Sequence, residues 1–224
     1  MGLTSAIVSA YFCEDFLENR IKNLLDQDKV PDIVATCLYD SPEHKILKRF
    51  GQVMTFSSSY IPALYSAWNT MLQVCHSDYV IIANSDDRLA KYAISEMSQV
   101  LDDNPDVGLV YANADVVVEE FGDVVKTFEW RDPDADLWEG CYIGNAPMFR
   151  RELIEKHGDF DEAYGVAGDW EMWLRLQRAG VKFYHINKVL GTFWDRSDNL
   201  EHRRKNRLTW ENAKVRRKYG KRQE

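Results

Sequence analysis

The stretch Tyr79-Val80-Ile81-Ile82-Ala83, followed by Asn84-Ser85-Asp86-Asp87, decides how this chain folds. An uninterrupted apolar run of this length predicts a short strand that is buried on both faces, as in a parallel sheet. Polar residues directly after such a strand lie at its carboxyl end, where open α/β sheets bind their ligands. The sequence therefore predicts an α/β fold with two adjacent carboxylates, Asp86 and Asp87, at the ligand-binding edge.

The chain before this strand alternates between strand-like and helix-like patterns. Short apolar runs alternate with segments in which apolar residues recur every three or four positions, as on one face of a helix. This alternation indicates a parallel sheet that is covered by helices. The predicted strands are residues 6–11, 33–39 and 53–56, and the predicted helices are residues 16–25, 46–50 and 61–74.

After residue 100 the pattern changes. Val107–Val118 has the composition of a long strand, and Gly122-Asp123 predicts a hairpin turn before a return strand at Val124–Phe128. Residues 1–200 are therefore predicted to form one domain, whose second half holds a second substrate, followed by a basic helix or tail at 201–224. The other predicted elements are helices at 150–157, 170–179 and 203–219, and strands at 181–186 and 189–194.

Charge is unevenly distributed along the 224 residues, which carry a net charge of -8. Residues 201–224 contain ten Lys and Arg and three Glu, a net charge of +7, so the first 200 residues carry -15. An acidic body makes nucleic acid a poor candidate ligand and suits a site that attracts divalent cations. The basic segment either packs on this body as a terminal helix or makes a weak peripheral contact with an anionic membrane or carrier.

Neither the N-terminus nor the cysteines indicate export. The first residues have no basic start, and no stretch approaches the roughly 20 apolar residues that span a bilayer. The cysteines at positions 13, 37, 75 and 141 form no C-x-x-C pair, which favours buried free thiols in a reducing cytosol. We therefore predict a cytoplasmic protein.

Asp86 and Asp87 are the candidate ligands of a metal ion. Adjacent carboxylates repel each other unless they stay solvated or share a cation. Mg²⁺ and Mn²⁺ take carboxylate oxygens together with phosphate oxygens of a substrate. The structural alternative is that Ser85 or Asp86 caps a helix that starts near Leu89.

Asp169 is the candidate general base. It stands at the predicted start of the helix in Gly168-Asp169-Trp170-Glu171, where the helix dipole favours an ionised carboxylate. Such a carboxylate can take a proton from an attacking hydroxyl. The structural alternative is a helix cap, with Trp170 in the core. Glu171 lies about 200° further around the helix, so we do not expect both acids to face one ligand.

Asp40 follows the second predicted strand, where its carboxylate could accept hydrogen bonds from a nucleobase or simply form a turn before Ser41 and Pro42. The sequence contains no G-x-x-x-x-G-K-[ST] loop, no G-x-G-x-x-G loop, no G-x-S-x-G elbow and no H-x-x-x-H pair. Nucleotide binding by a glycine-rich loop is therefore not supported. Three aromatic residues either pack in the core or offer a stacking face for a sugar: Trp130, Trp138 and Tyr142.

The order and spacing of these positions resemble family 2 of the inverting glycosyltransferases, which have the GT-A fold. The resemblance covers roughly residues 5–195. The motifs that carry it are a first strand at 6–11, Asp40, Ala67-Trp68-Asn69, Asn84-Ser85-Asp86-Asp87, the segment from Arg150-Arg151 to Gly158-Asp159-Phe160-Asp161, and residues 168–175.

This resemblance implies metal-dependent transfer of a sugar from a nucleotide-diphosphate sugar to an acceptor hydroxyl, with inversion and with Mn²⁺ or Mg²⁺ as cofactor. It implies that residues 1–118 bind the donor and residues 119–200 the acceptor, which is a glycan, a lipid-linked compound or another hydroxyl compound. The implied roles are donor binding by Tyr11, Asp40, Asn69 and Asp86, metal binding by Asp87 with Asp86, proton removal by Asp169, and acceptor binding by Trp170 and Glu171.

Two positions depart from the family pattern, which often has Asp in place of Asn84 and Glu in place of Gly168. One charge is thus missing beside the metal, and one carboxylate on the acceptor side. Two other classes stay open. A nucleotidyltransferase would carry a basic, glycine-rich loop after the first strand, where this chain has residues 11–14, Tyr-Phe-Cys-Glu. A non-catalytic nucleotide-sugar or carbohydrate-binding protein would tolerate the loss of Asp87 or Asp169.

Overall fold

The computed structural model describes residues 2–118, 124–128, 132–197 and 199–221. Within these ranges nine strands form one mixed sheet. The strands are β1 Thr4–Ala10, β2 Asp32–Leu38, β3 Val53–Ser58, β4 Tyr79–Ile82, β5 Arg88–Leu89, β6 Val107–Val118, β7 Val124–Phe128, β8 Met148–Arg150 and β9 Lys182–Asp195. The helices are α1 Glu14–Leu25, α2 Pro42–Leu47, α3 Leu64–Val74, α4 Ala93–Asp103, α5 Glu152–His157, α6 Gly168–Arg178, α7 Leu200–Arg203 and α8 Lys205–Tyr219, with a 3-10 turn at Leu137–Glu139.

The strand order in the sheet is β3-β2-β1-β4-β8-β6-β9-β5, and β7 pairs with β6. The pairs among β1, β2, β3 and β4 are parallel, as the alternating sequence pattern predicts. The strand β8 is antiparallel to both of its neighbours, β4 and β6, so these two run in the same direction. Because β9 is parallel to β6, its C-terminal end reaches the same edge of the sheet as that of β4.

Helices cover both faces of the sheet, and each face has its own buried apolar cluster. Alternate residues of one strand enter different clusters: Ala6 and Val8 of β1 pack with α1 and α4, whereas Ile7 packs with α3 and α6. The central strand β4 is buried along its whole length. The prediction of a two-sided, helix-covered sheet is therefore confirmed.

Two local predictions differ from the structure. Arg150, predicted as the first residue of a helix, is the last residue of β8, and the helix α5 begins only at Glu152. The two predicted late strands are one strand, β9, with an irregularity where it pairs with Ala112 and Asn113 of β6. The return strand β7 is confirmed, while the predicted turn at Gly122-Asp123 lies outside the described residues.

The basic C-terminal segment packs on the domain. Val215 of α8 is fully buried, and Leu208 and Tyr219 pack against the cluster that contains α6. Trp138 Nε1 donates to the carbonyl of Arg216 at 3.0 Å, and Lys218 Nζ lies 2.9 Å from a carboxylate oxygen of Glu171. The structure thus favours the packed-helix alternative for this segment. No helix in the described ranges is both long and apolar enough to cross a membrane.

Candidate active site

A cavity opens where the carboxyl ends of β1 and β4 meet. The chain order runs outward from β1 to β3 on one side of this point and continues from β4 on the other, which is the arrangement that creates a binding crevice in open α/β sheets. Residues 11–13 after β1 and residues 84–87 after β4 line this cavity, whose volume is about 360 Å³. It is called the smaller cavity below, because a larger one lies beside it.

The loop of residues 84–87 is held at both ends by strand pairing. The amide of Ala83 donates to the carbonyl of Ile7, and Arg88 and Leu89 pair with β9. The next helix, α4, begins only at Ala93, so neither Ser85 nor Asp86 caps a helix near Leu89. The capping alternative for these residues is wrong, because two strand pairings fix the segment before any helix can start.

The two carboxylates of this loop have different environments. Asp87 is 2% exposed, and its oxygens accept hydrogen bonds from Asn84 Nδ2 at 3.0 Å and from the amide of Trp194 at 3.3 Å. Asp86 has a side chain that is 26% exposed, with Arg196 Nη1 3.7 Å from Oδ2. Both carboxylates line the smaller cavity, and Asp86 is the more exposed of the two.

Burial is the main influence on the pKa of Asp87. Burial, and then the charge of Asp86, raise the pKa of Asp87 to about 6, although the hydrogen bond from Asn84 and the charge of Arg20 oppose this shift. Arg20 is itself fully buried, and its Nε and Nη2 have no hydrogen-bond partner in the described part of the chain. A further cation beside the two carboxylates would relieve their repulsion and lower the pKa of Asp87.

The donor set suits a hard divalent cation only in part. Among the described residues, no group of three His, Cys, Asp or Glu side chains is arranged to hold a metal ion. Asp86 and Asp87 supply two neighbouring carboxylates, and Mg²⁺ is commonly held by one or two carboxylates together with the phosphates of a substrate. The residues therefore fit a cation that arrives with, or is completed by, a diphosphate ligand.

Asp169 lies between the smaller cavity and a second, larger one. The larger cavity has a volume of about 540 Å³ and is lined from α6, α8 and the loop of residues 140–147. Asp169, Asn84 and Trp68 line both cavities. Among the described residues, Asp169 is the one carboxylate that lines both spaces.

The position of Asp169 in its helix bears on the capping alternative. The residue before α6 is Ala167, whose side chain gives no cap, and Asp169 is the second residue of the helix. Its Oδ1 accepts a hydrogen bond from the next amide, that of Trp170, at 2.8 Å, and lies 3.1 Å from the hydroxyl of Tyr65. Asp169 thus contributes one bond to the first helical turn without standing at the cap position.

Tyr11 is the one further predicted donor residue that lines the smaller cavity. Burial raises the pKa of the Tyr11 hydroxyl above its ordinary value. Asp40 follows β2 at the same edge of the sheet but lines neither cavity. Its φ is 58°, and its side chain is 75% exposed with Lys45 Nζ at 3.5 Å.

Asn69 does not reach the cavities. Its Nδ2 donates to the carbonyl of Phe160 at 2.9 Å and its Oδ1 accepts from the amide of Phe160 at 3.0 Å. Nδ2 also lies 3.0 Å from a carboxylate oxygen of Glu162. The implied donor contact of Asn69 is therefore replaced by a structural one, because its amide fastens the segment before α6 to α3.

The two predicted acceptor residues are placed differently. Trp170 lines the larger cavity, is 4% exposed, and donates from Nε1 to the carbonyl of Leu137 at 2.7 Å. Glu171 is fully buried and faces α8, where it contacts Lys218 and the hydroxyl of Tyr219. The structure does not bring Glu171 to the cavities, which agrees with its place on another side of the helix from Asp169.

The other aromatic candidates belong to the core. Trp138 and Tyr142 pack in the cluster that contains α6, and the Tyr142 hydroxyl is 3.1 Å from Gln177 Nε2. Trp130 lies outside the described residues. The structural alternative is thus favoured for the two aromatic residues that are described.

Gly168 is explained by Tyr65. A Cβ atom at position 168 would lie 2.5 Å from Cε2 of the Tyr65 ring, so no side chain fits there while the ring stays in place. The Tyr65 hydroxyl, in turn, is 2.7 Å from the carbonyl of Val166. The departure from the family pattern at Gly168 therefore makes room for an aromatic ring that contacts Asp169.

Several residues of the site were missed by the sequence analysis. Tyr65, Asn145, the Trp194 amide and Arg196 come from three different segments and meet only through the fold. None of them stands in a local motif. Only the strand-end rule could have indicated Trp194 and Arg196, because β9 ends at the same edge of the sheet as β4.

Comparison with known families decides the assignment. The family model described as glycosyl transferase family 2 matches residues 5–158. The chain belongs to glycosyl transferase family 2. This match includes the strand ends with Asp40, Asp86 and Asp87, and it stops before the helix that carries Asp169.

Two relatives of this family 2 chain are much longer than it is. An uncharacterized protein, y4gI, of Sinorhizobium fredii is 31% identical over 127 residues, which are 55% of this chain and 14% of that protein. The O-antigen biosynthesis protein RfbC of Myxococcus xanthus is 26% identical over 168 residues, or 75% of this chain and 13% of that protein. The chain thus spans only a small part of the curated relatives it matches.

Solved structures show the GT-A fold for the chain. The mannosyltransferase PcManGT from Pyrobaculum calidifontis, in complex with GDP-Man and Mn²⁺, superposes with a TM-score of 0.71 at 19% identity, covering 96% of this chain and 64% of the other. Residues 1–349 of TarS from S. aureus, in complex with UDP, give a TM-score of 0.71 at 15% identity, covering 97% and 72%.

Proposed function

We propose that the chain transfers a sugar from a nucleotide-diphosphate sugar to an acceptor hydroxyl, with inversion at the anomeric carbon. The observation that carries this proposal is that Asp169 lines both cavities. One carboxylate then faces the space for the donor and the space for the acceptor, as a base between two substrates must. Family membership supports the activity class.

The smaller cavity is proposed to bind the donor. Asp86 and Asp87 would hold Mg²⁺ or Mn²⁺ together with the diphosphate, and the ion, when bound, would offset the negative charge of the leaving group. Arg196, Arg203 and Arg204 also line this cavity and supply positive charge that suits a diphosphate. Two of the neighbouring structures contain GDP-Man with Mn²⁺ and UDP, which supports a nucleotide-diphosphate sugar as donor class.

The larger cavity is proposed to bind the acceptor. The acceptor oxygen attacks the anomeric carbon while Asp169 accepts its proton, and the bond from that carbon to the diphosphate oxygen breaks. Attack from the face opposite the diphosphate inverts the anomeric centre. Burial, and then the charge of Asp169, raise the pKa of Tyr65 well above its ordinary value, so the Tyr65 hydroxyl keeps its proton and can orient the base.

The two other classes are weaker on these observations. A nucleotidyltransferase would need a basic loop after β1, and that position holds the exposed Phe12 and the buried Cys13. A binding protein without activity would have no use for a carboxylate placed between two cavities.

Release of nucleoside diphosphate from nucleotide sugars tests the proposal, with water as the acceptor. The wild-type chain is incubated with UDP- and GDP-sugars, with Mn²⁺ or Mg²⁺ and with a chelator. We expect slow release from at least one donor, only in the presence of the ion. Donor binding is measured separately by thermal shift, since about 100 Kd of ligand should add about 2.7 kcal/mol.

Asp87→Ala provides the decisive variant, and Asp87→Asn repeats it with a side chain of equal size. Both should lose ion-dependent release while circular dichroism shows a folded chain. Asp106→Ala is the matched control, because Asp106 is exposed and paired only with surface Lys182 among its described contacts. Full ion-dependent release by Asp87→Ala would show that Asp87 is not a ligand of the metal ion. Ion-independent release by the wild type would show that the reaction needs no metal ion.

A further inference from the structure

The C-terminal helix brings a second buried carboxylate to the start of α6. Glu211 of α8 is fully buried. One of its oxygens accepts from the amide of Gly165 at 2.8 Å, and the other accepts from the amides of Val166 and Ala167 at 2.8 and 2.9 Å. Three consecutive amides of the segment before α6 therefore point at one carboxylate.

Arg207 completes this contact from the same helix. Its Nε lies 2.6 Å from the Glu211 oxygen that also receives the Gly165 amide. Burial acts to raise the pKa of Glu211, but the bonds from Arg207 and from the three amides outweigh it and hold the pKa below its ordinary value. A buried, ionised carboxylate with four donors is a strong anchor, because withdrawing any donor leaves charge or a polar group unpaired.

The anchored segment leads directly to Asp169. The helix α6 begins at Gly168, directly after Ala167, and Ala167 has no side-chain cap to offer. On the opposite side, the Tyr65 hydroxyl lies 2.7 Å from the carbonyl of Val166 and 3.1 Å from Oδ1 of Asp169. The backbone of residues 165–167 is thus held by Glu211 at its amides and by Tyr65 at a carbonyl.

We propose that Glu211 is a positioning residue for Asp169, acting through the backbone of residues 165–167. This role rests on the proposed function of Asp169 as the base. Glu211 lines neither cavity, so it touches no substrate. Through this one side chain, the basic C-terminal helix fixes the segment that carries the base.

A double-mutant cycle in donor hydrolysis tests this role. Glu211→Gln keeps the size of the side chain but places an amide group against the amides and Arg207. We expect kcat for release of nucleoside diphosphate to fall between about 10- and 100-fold, because small displacements of a base are costly. KM for the nucleotide sugar should change less than about 2-fold, since the donor residues are untouched.

The second arm places Glu211→Gln in the Asp169→Asn background. If Glu211 acts through Asp169, Glu211→Gln should lower kcat by no more than about 2-fold in the Asp169→Asn background. The reason is that substitutions of two coupled residues do not have additive effects. Equal losses in both backgrounds would overturn the proposal, since they mean that Glu211 supports the fold and nothing more specific.

Val215→Ala is the matched control on the same helix. Val215 is fully buried one turn after Glu211, so its truncation weakens the docking of α8 but leaves the hydrogen bonds of Glu211 to the amides of residues 165–167 in place. We expect Val215→Ala to lower the Tm while kcat stays within about 2-fold of wild type. A loss of kcat in Val215→Ala as large as that in Glu211→Gln would also overturn the proposal.

Hydrogen exchange of the backbone amides gives a readout that needs no activity. Glu211→Gln should speed exchange at residues 165–167 by at least about 10-fold, and Val215→Ala should not do so selectively. Unchanged protection at these amides would overturn the positioning role. If Glu211→Gln does not fold, Arg207→Gln, which keeps the carboxylate and its three amides, is taken through the same cycle with smaller expected losses. Absence of turnover in the wild type would count against the proposed function. Hydrogen exchange at residues 165–167 would in that case still test whether Glu211 holds this segment.

Discussion

The two sides of the cleft are built in different ways. The smaller cavity is formed at the ends of β1 and β4, which are neighbours in the sheet and are held by regular strand pairing. The larger cavity takes most of its lining from α6, α8 and the loop of residues 140–147. On that side, side-chain contacts between segments that are distant in sequence take the place of regular strand pairing. Examples are the contacts of Glu211 with residues 165–167 and of Glu171 with Lys218.

This difference separates what is fixed by topology from what depends on single side chains. A carboxylate at a strand end is placed by the whole sheet, so few substitutions elsewhere can move it. The base on α6 is placed by a handful of buried polar contacts, each of which leaves an unsatisfied group when it is removed. The larger cavity should therefore be the more sensitive side of the molecule to changes far from the substrates.

Removing the C-terminal helix should have the largest effect. Truncation after Asn199 deletes Glu211, Val215 and Lys218, and leaves the amides of residues 165–167 and the buried Glu171 without these partners. We expect a loss of at least about 3 kcal/mol in the free energy of unfolding, measured with urea. Truncation after Gly220 keeps α8 and is the control. Unchanged stability after truncation at Asn199 would show that the larger cavity, like the smaller one, keeps its structure without α8.

Replacing the base should affect chemistry and spare binding. Asp169→Asn keeps the size of the side chain and can still accept the bond from Trp170, but it cannot take a proton. We expect transfer or hydrolysis to fall by at least about 10²-fold, while donor and Mn²⁺ still raise the Tm through the smaller cavity. Asp159→Asn, an exposed residue, is the control. Near wild-type turnover in Asp169→Asn would leave this carboxylate with a structural role alone.

Membrane contact through α8 should be the smallest effect. Cytoplasmic location and weak binding to anionic lipid both stay predictions, and α8 now has its apolar side packed on the domain. Lys205 and Arg217 are exposed, and each such charge is worth about 1 kcal/mol near an anionic surface. Sedimentation with anionic and neutral vesicles compares the wild type with Lys205→Glu/Arg217→Glu at low and moderate salt. Equal partitioning of both proteins would leave α8 as a packing element.

The sheet was largely predictable because its strands carry strong local signals. Continuous apolar runs identified β1, β2 and β4, and the polar residues after β4 indicated the binding edge. The strand β8 was missed because its three residues precede Arg151 and the helix α5, so their apolar pair fits either pattern. The strand β9 was divided in two because its pairing with β6 is irregular near Asn113, whose Nδ2 bonds to Asn187 Oδ1 at 2.9 Å.

The site was predictable only where it follows strand ends or a helix start. Asp86, Asp87 and Asp169 were found in this way, and the structure brings all three to the smaller cavity. Glu211 could not be found, because nothing near it in sequence indicates that its partners are the amides of residues 165–167. Asn69 and Glu171 were placed by resemblance alone, and the structure gives their polar groups to internal contacts.

The contact between Tyr65 and Gly168 makes these two positions epistatic. A side chain at 168 needs the space of the Tyr65 ring, and the ring is useful only while it can reach Val166 and Asp169. Substituting either residue alone therefore creates a clash or a void, whereas a paired exchange can preserve the packing. A larger residue at position 168 therefore fits this packing only together with a smaller residue at position 65.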